Sequence, residues 1–265
     1  MKIIFLILFL LLDLNAKSDY YTKDKITELQ KVCEDGNNSM CSELAISYHL
    51  GVGMIQDKKK AFKYFIKSCE SGNMSDCYFS GYYYLEGIVV KKDKKKALEL
   101  MNKSCDSNNS TMCYNFAKNY TNGKHIERNY VKALKLYKKS CQLDWSLACF
   151  DIGIMYSTGV GVEQNLSKAF KYYQKACHLD PREGCGELGK VYESGIVVKK
   201  DVFRAVKLYA KSCENGYGEG CNRLGLMYLN GKGIRQDKLI AKEFFGKACD
   251  YKSEDGCENY VRLNK

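Results

Sequence analysis

The chain has 265 residues, 45% of them hydrophobic and 12% aromatic, which excludes a mainly disordered polypeptide and leaves room for one large domain or two small ones. Its 42 basic and 31 acidic residues give a formal net charge of +11, spread as a lysine-heavy surface rather than a polycationic tail, so acidic or membrane-surface partners are favoured only weakly. With 14 cysteines, 22 glycines and a single proline, collagen-like and proline-rich linker classes are excluded, and the cysteines become the leading signal.

At the N-terminus Lys2 precedes an apolar run from Ile3 to Leu12, and Leu14, Asn15 and Ala16 follow with a small residue at the −1 position of a cleavage site. Residues 1–16 are therefore expected to be a signal peptide. The run is too short for a membrane-spanning helix, which needs about 20 apolar residues, so an integral membrane protein is not expected. Export, to the periplasm or out of the cell, implies an oxidising compartment in which cysteines pair.

The cysteines fall at Cys33, Cys41, Cys69, Cys77, Cys105, Cys113, Cys141, Cys149, Cys177, Cys185, Cys213, Cys221, Cys249 and Cys257, with gaps alternating between 8 and 28 residues. A 36-residue period held without insertion indicates one supersecondary unit stacked on copies of itself. Residues 17–265 are read as a single all-α solenoid domain: a partial unit at 25–40, six full repeats over 41–256 and a cap helix at 257–265.

Counting from the second cysteine of each pair, position +7 is tyrosine in every full unit (Tyr48, Tyr84, Tyr120, Tyr156, Tyr192, Tyr228), and +4 is alanine or glycine. Offsets 0, 3, 4 and 7 form one face of a helix, with a small residue where a neighbour comes close. Position +10 is always glycine, from Gly51 to Gly231, where a helix ends in the left-handed conformation. A second helix then starts behind Asp57, Asp93, Asn129, Asn165, Asp201 or Asp237, residues that cap free backbone N–H groups, and an alanine follows four positions on.

Two cysteines eight apart on one straight helix would lie about 12 Å apart along its axis, beyond the roughly 7 Å Cα limit for a disulfide. The chain must reverse between them, as Glu70-Ser71-Gly72-Asn73 permits, so the first cysteine ends one unit's second helix and the second opens the next unit's first helix. Each pair then staples adjacent repeats. The competing reading, a metal site, lacks the short Cys spacings or registered histidines that zinc requires, since His49, His125 and His178 occupy unrelated repeat positions. No metal and no cofactor are expected.

The segment from Cys149 to Cys177, CFDIGIMYSTGVGVEQNLSKAFKYYQKAC, resembles the Sel1-like repeat, a relative of the tetratricopeptide repeat. With the paired cysteines and the signal peptide, the chain is similar to the exported cysteine-rich repeat proteins of Helicobacter and its relatives. The resemblance implies a right-handed α-superhelix, disulfides between cysteines eight apart and secretion. It also implies penicillin binding or slow β-lactamase activity, with a β-lactam or cell-wall-like small molecule as ligand. The S-x-x-K, S-D-N and K-T-G elements of serine β-lactamases are absent from the sequence. Lysine–serine pairs recur at Lys67-Ser68, Lys103-Ser104, Lys139-Ser140 and Lys211-Ser212, where the lysine is better explained as a cation at a helix C-terminus.

The leading expectation is a monomeric scaffold that binds a protein or peptide. Offsets 2, 5 and 9 of each first helix point away from the core face and vary from unit to unit, as a concave binding face should. Apolar residues concentrate toward the N-terminus, so Ile46, Leu50, Phe79 and Tyr82, with Tyr78 and Tyr114 alongside, are the candidate groove, and Lys118 and Ile154 continue it. The bland alternative is that neighbouring units cover these side chains. Lys60, Lys96, Lys132 and Lys168 recur before the invariant alanine as a basic ridge that is expected to be solvated, and no nucleic-acid partner is implied.

Overall fold

The computed structural model describes residues 22–264, so the expected signal peptide at 1–16 lies outside the described residues. The described chain is helical throughout, without a strand. In chain order the helices are α1 (Lys23–Glu34), α2 (Asn38–Leu50), α3 (Lys58–Glu70), α4 (Met74–Glu86), α5 (Lys94–Asp106), α6 (Ser110–Asn122) and α7 (Tyr130–Gln142). There follow α8 (Ser146–Thr158), α9 (Leu166–Leu179), α10 (Glu183–Ser194), α11 (Val202–Glu214), α12 (Gly218–Asn230), α13 (Lys238–Asp250) and α14 (Glu254–Arg262).

Local chemistry accounts for every boundary inside a repeat. The glycines at +10 have φ between 64° and 76°, a conformation that costs a residue with a Cβ. All six cap residues, from Asp57 to Asp237, accept hydrogen bonds from backbone N–H groups two or three residues on. The backbone N–H of each cap also donates to the carbonyl of the invariant tyrosine, at 2.8–3.0 Å, which closes the loop between the two helices.

Between repeats the chain reverses over a few residues, and the seven disulfides join cysteines eight apart with Cα separations of 4.5–4.9 Å. The first helices begin one turn earlier than the second cysteine. Asn37 and Asn73 cap α2 and α4 four residues ahead of Cys41 and Cys77, and Ser253 caps α14, so the terminal helix starts at Glu254 rather than at Cys257. The fifth junction differs because Pro181 disfavours a helical residue before it: Asp180 is extended, and Arg182 closes on its carboxylate at 2.6 Å.

The described chain forms two compact units, an N-terminal one up to Phe116 with Lys124–Ile126, and a C-terminal one of Ala117–Gly123 with the residues from Glu127 on. The N-terminal core gathers Leu29, Leu44, Tyr48, Tyr64, Phe65 and Tyr83 around the Cys33–Cys41 bridge. In the C-terminal unit the small residues at +4 are seats for rings of the second helix. A Cβ on Gly153, Gly189 or Gly225 would lie 2.5–2.7 Å from Tyr173, Tyr209 or Phe245. The close approach is thus made by an aromatic ring there, and by the Ala97 backbone carbonyl at Gly81.

Candidate binding face

In the N-terminal unit, Ile46 and Leu50 of α2, Phe79 and Tyr82 of α4, and Tyr114 of α6 are half-buried, whereas Tyr78 is buried. Ile46, Phe79 and Tyr82 rest against the core. The Phe79 ring stacks on Phe65 at 5.1 Å and meets the edge of Tyr78 at 6.0 Å, so one of its faces is already covered. Burial, with Glu86 nearby, pushes the Tyr82 phenol above its ordinary range. The row is therefore a set of rooted side chains, each presenting part of its surface.

Behind it stands a cluster that the sequence reading missed. His49 Nδ1 and the Tyr83 hydroxyl are hydrogen-bonded at 2.8 Å, and Phe62 and Phe65 pack on Tyr83 at 5.4 and 6.0 Å. Lys58 Nζ donates to the His49 carbonyl at 2.6 Å. Burial, and then the Lys58 charge, lower the His49 pKa to about 4, so the ring is neutral near pH 7. Tyr83 sits at offset +6, where the other units carry serine, asparagine, methionine or valine. With no residue type common to all units at that offset, only the apolar character of Tyr83, Met155, Val191 and Met227 hinted at a second buried stripe.

The corresponding surface of the C-terminal unit is ionic. Lys118 pairs with Asp151 at 3.5 Å, and Ile154 stands exposed beside them on α8. Lys190 pairs with Glu187 at 2.7 Å and with Glu219 at 3.7 Å, and Glu219 also accepts from Arg223 Nε at 2.8 Å. Lys190 and Arg223 border an open cavity of about 570 Å³, lined also by Glu193, Ser194, Lys200 and Lys232. Glu193 there accepts from the Tyr209 hydroxyl at 2.8 Å and faces Lys232 at 3.6 Å.

The basic ridge is not merely solvated. Lys60, Lys96, Lys132, Lys168 and Arg204 lie over the rings of Tyr48, Tyr84, Tyr120, Tyr156 and Tyr192, with cation–centroid distances of 4.4–5.6 Å. The cation before the invariant alanine thus covers the invariant tyrosine of its own repeat, an attraction of about 0.5–1 kcal/mol at exposed sites. The lysine–serine pairs are also structural. Ser68, Ser104, Ser140 and Ser212 are fully buried and closed to a substrate. Lys67 Nζ donates to the Cys33 carbonyl at 2.8 Å, satisfying the end of the preceding repeat's helix. Among the described residues no three His, Cys, Asp or Glu side chains converge as metal ligands, and no helix is long and apolar enough to cross a membrane.

Comparison with known proteins places this architecture. The Sel1 repeat model matches residues 39–73, 76–109, 110–145, 146–181, 183–217 and 218–250. A protective antigen of uropathogenic Escherichia coli displaying an SLR fold is similar at 26% identity and a TM-score of 0.75, over 95% of this chain and 56% of the antigen. The chain thus spans little more than half of that protein's length. A Sel1 repeat protein from Oxalobacter formigenes is similar at 21% identity and a TM-score of 0.74, over 89% of this chain and 68% of that one. Helicobacter pylori cysteine-rich protein B shares 34% identity over 51% of this chain and 98% of its own, with a TM-score of 0.41. No curated protein matches. With six matched repeats, a helix-pair architecture and a disulfide at every junction, the chain belongs to the Sel1 repeat family.

Proposed function

We propose that the chain is an exported, disulfide-stapled Sel1-repeat scaffold that binds a protein or peptide on the outward face of its first helices. The N-terminal unit supplies the anchors. The observation that carries this reading is the row Ile46, Phe79 and Tyr82, rooted in the core and partly open to solvent with Leu50 alongside, at positions whose residue type varies from repeat to repeat. Rooted aromatic side chains lose little entropy on binding and make good contact anchors. Export is supported by the pairing of all the described cysteines, which a reducing compartment would oppose, and by the N-terminal apolar run as a cleavable signal. The scaffold is read as one solenoid domain over 17–265, acting as a monomer.

The test is selection of peptides from a displayed library against the oxidised protein, followed by affinity measurement on Phe79→Ala with Tyr82→Ala. Loss of tenfold or more in affinity, with the helical circular dichroism and the seven disulfides intact, is the expected result. Selected peptides that bind this double variant as tightly as the parent would remove the groove from the argument.

A further inference from the structure

The loop between the two helices of each repeat, with the first turns of the second helix, covers offsets +11 to +22 and carries an unusual charge. Across six repeats these segments hold 23 of the 42 basic residues but only 8 of the 31 acidic ones, so the rest of the chain is slightly acidic. The same segments hold 8 of the 12 large hydrophobic residues exposed among the described residues. A soluble surface normally keeps such side chains few and scattered, and their coincidence with the basic edge is not imposed by the fold.

The C-terminal unit shows the combination most strongly. At the second position of the second helices, where the N-terminal unit has Lys59 and Lys95, it has Val131, Ser167, Phe203 and Leu239. Val131, Phe203 and Leu239 are 72%, 72% and 77% exposed, and Ile196 in the loop before α11 is 74% exposed. Phe203 is held outward because its neighbour Val202 packs on Gly233 of the next loop, where an added Cβ would come to 2.8 Å. Lys135 and Lys207 follow Val131 and Phe203 by one helical turn on the same face, and both are exposed.

We propose that this edge of the C-terminal unit docks on an anionic phospholipid surface, its apolar tips entering the headgroup layer while the surrounding lysines meet the phosphates. Charge complementarity selects an anionic partner. The spacing selects a bilayer over an acidic protein. The tips Val131, Phe203 and Leu239 stand on three separate second helices, with Ile196 on a loop and cations between them. A protein interface packs a contiguous apolar core from which charge is depleted. An interfacial lipid layer needs no shape match and accepts separate tips together with the aliphatic stems of lysines. This surface lies on the second helices and is independent of the peptide-binding face.

The experiment places a reporter at the edge. Phe203→Trp in the full chain is mixed with vesicles of phosphatidylglycerol and phosphatidylcholine in equal parts, and with phosphatidylcholine alone. The emission of the unaltered chain is subtracted to remove Trp145. The expected result is a blue-shifted emission, quenched by brominated acyl chains, on the phosphatidylglycerol vesicles only. A second variant, Phe203→Asp with Leu239→Asp, lowers partitioning roughly tenfold per tip without changing the helical signal. Because the signal arises at position 203, vesicle binding through the apolar run Ile3–Leu12 does not imitate it. Protein bound to vesicles with unshifted emission at 203, an equal response to phosphatidylcholine alone, or no binding would each overturn the proposal. Retained affinity for selected peptides in the same variants separates this outcome from the fate of the groove.

Discussion

In the N-terminal unit the outward positions of the first helices carry Ile46, Leu50, Phe79 and Tyr82, whereas in the C-terminal unit they include Asp151, Glu187, Lys190 and Arg223, all held in ion pairs. On the second helices the assignment is inverted, with Lys59 and Lys95 at the exposed position of the first unit and Val131, Phe203 and Leu239 in the second. Both units use the same disulfide, glycine end, cap and tyrosine. Stability in repeat proteins resides in the unit and its nearest-neighbour contacts, so positions outside those contacts are free to diverge. The comparison teaches that one scaffold presents an aromatic first-helix face in one unit and a basic, apolar-tipped loop edge in the other.

The largest expected effect comes from removing the support of the aromatic face. Phe65 is 1% exposed and touches His49, Phe79 and Tyr83. Phe65→Ala leaves a cavity under the row and should cost about 3–5 kcal/mol, read from urea unfolding with the disulfides intact. Amide hydrogen exchange should rise in the N-terminal unit and stay unchanged in α11–α13. A loss below about 1 kcal/mol would mean that the face does not depend on the cluster behind it.

Much of this was legible in the sequence because backbone constraints leave single-residue marks. Gly51 or Gly231 can be read as a helix end, and Asp57 or Asp237 as a cap, since few residue types satisfy the geometry. The 8-and-28 cysteine spacing likewise pointed to a chain reversal with local pairing, which the seven disulfides show. The partners of the outward side chains were not legible. Whether Phe79 is free or stacked depends on Phe65, 14 positions earlier, and whether Arg223 is available depends on Glu219 and its contacts. The lysine ridge was visible as a period, but its lysine–tyrosine pairing needed the angle between two helices. His49 gave no periodic signal because its partner Tyr83 belongs to a repeat position of mixed type.

A smaller effect probes how the C-terminal unit seats its rings. A methyl group on Gly189 would lie 2.6 Å from Tyr209, which is fully buried and donates to Glu193. Gly189→Ala must push the ring outward and strain that hydrogen bond, for an expected loss of about 1–3 kcal/mol. The N-terminal unit already carries Ala45 at the equivalent position, in the same core cluster as Phe65. Gly189→Ala should also weaken the Lys232–Glu193 contact, seen as changed side-chain chemical shifts of both residues by NMR. An unchanged melting temperature would show that the second-helix rings adjust freely.

The smallest effect is the pH dependence of the N-terminal unit. His49 is neutral in the folded protein down to about pH 4, while in the unfolded chain it takes up a proton near its ordinary value of 6.5. Between these values the unfolded state binds more protons, so the stabilisation from a neutral His49 is complete above pH 6.5 and is lost as the pH falls toward 4. Partial solvent access of the ring reduces the size of this change to about 1–2 kcal/mol. Asp76 acts in the opposite sense. Its carboxyl is buried and its pKa is raised, first by desolvation, so the neutral form is favoured in the fold and its contribution falls as the pH rises above 3.8. The difference between the unaltered chain and His49→Gln isolates the histidine, because Asp76 is common to both. Urea midpoints measured from pH 7 to pH 4 should converge for the two proteins as the pH falls. Parallel curves would mean that His49 is solvated, and the hydrogen bond to Tyr83 would then not be what joins α2 to α4 in this unit and keeps it apart in chemistry from its C-terminal counterpart.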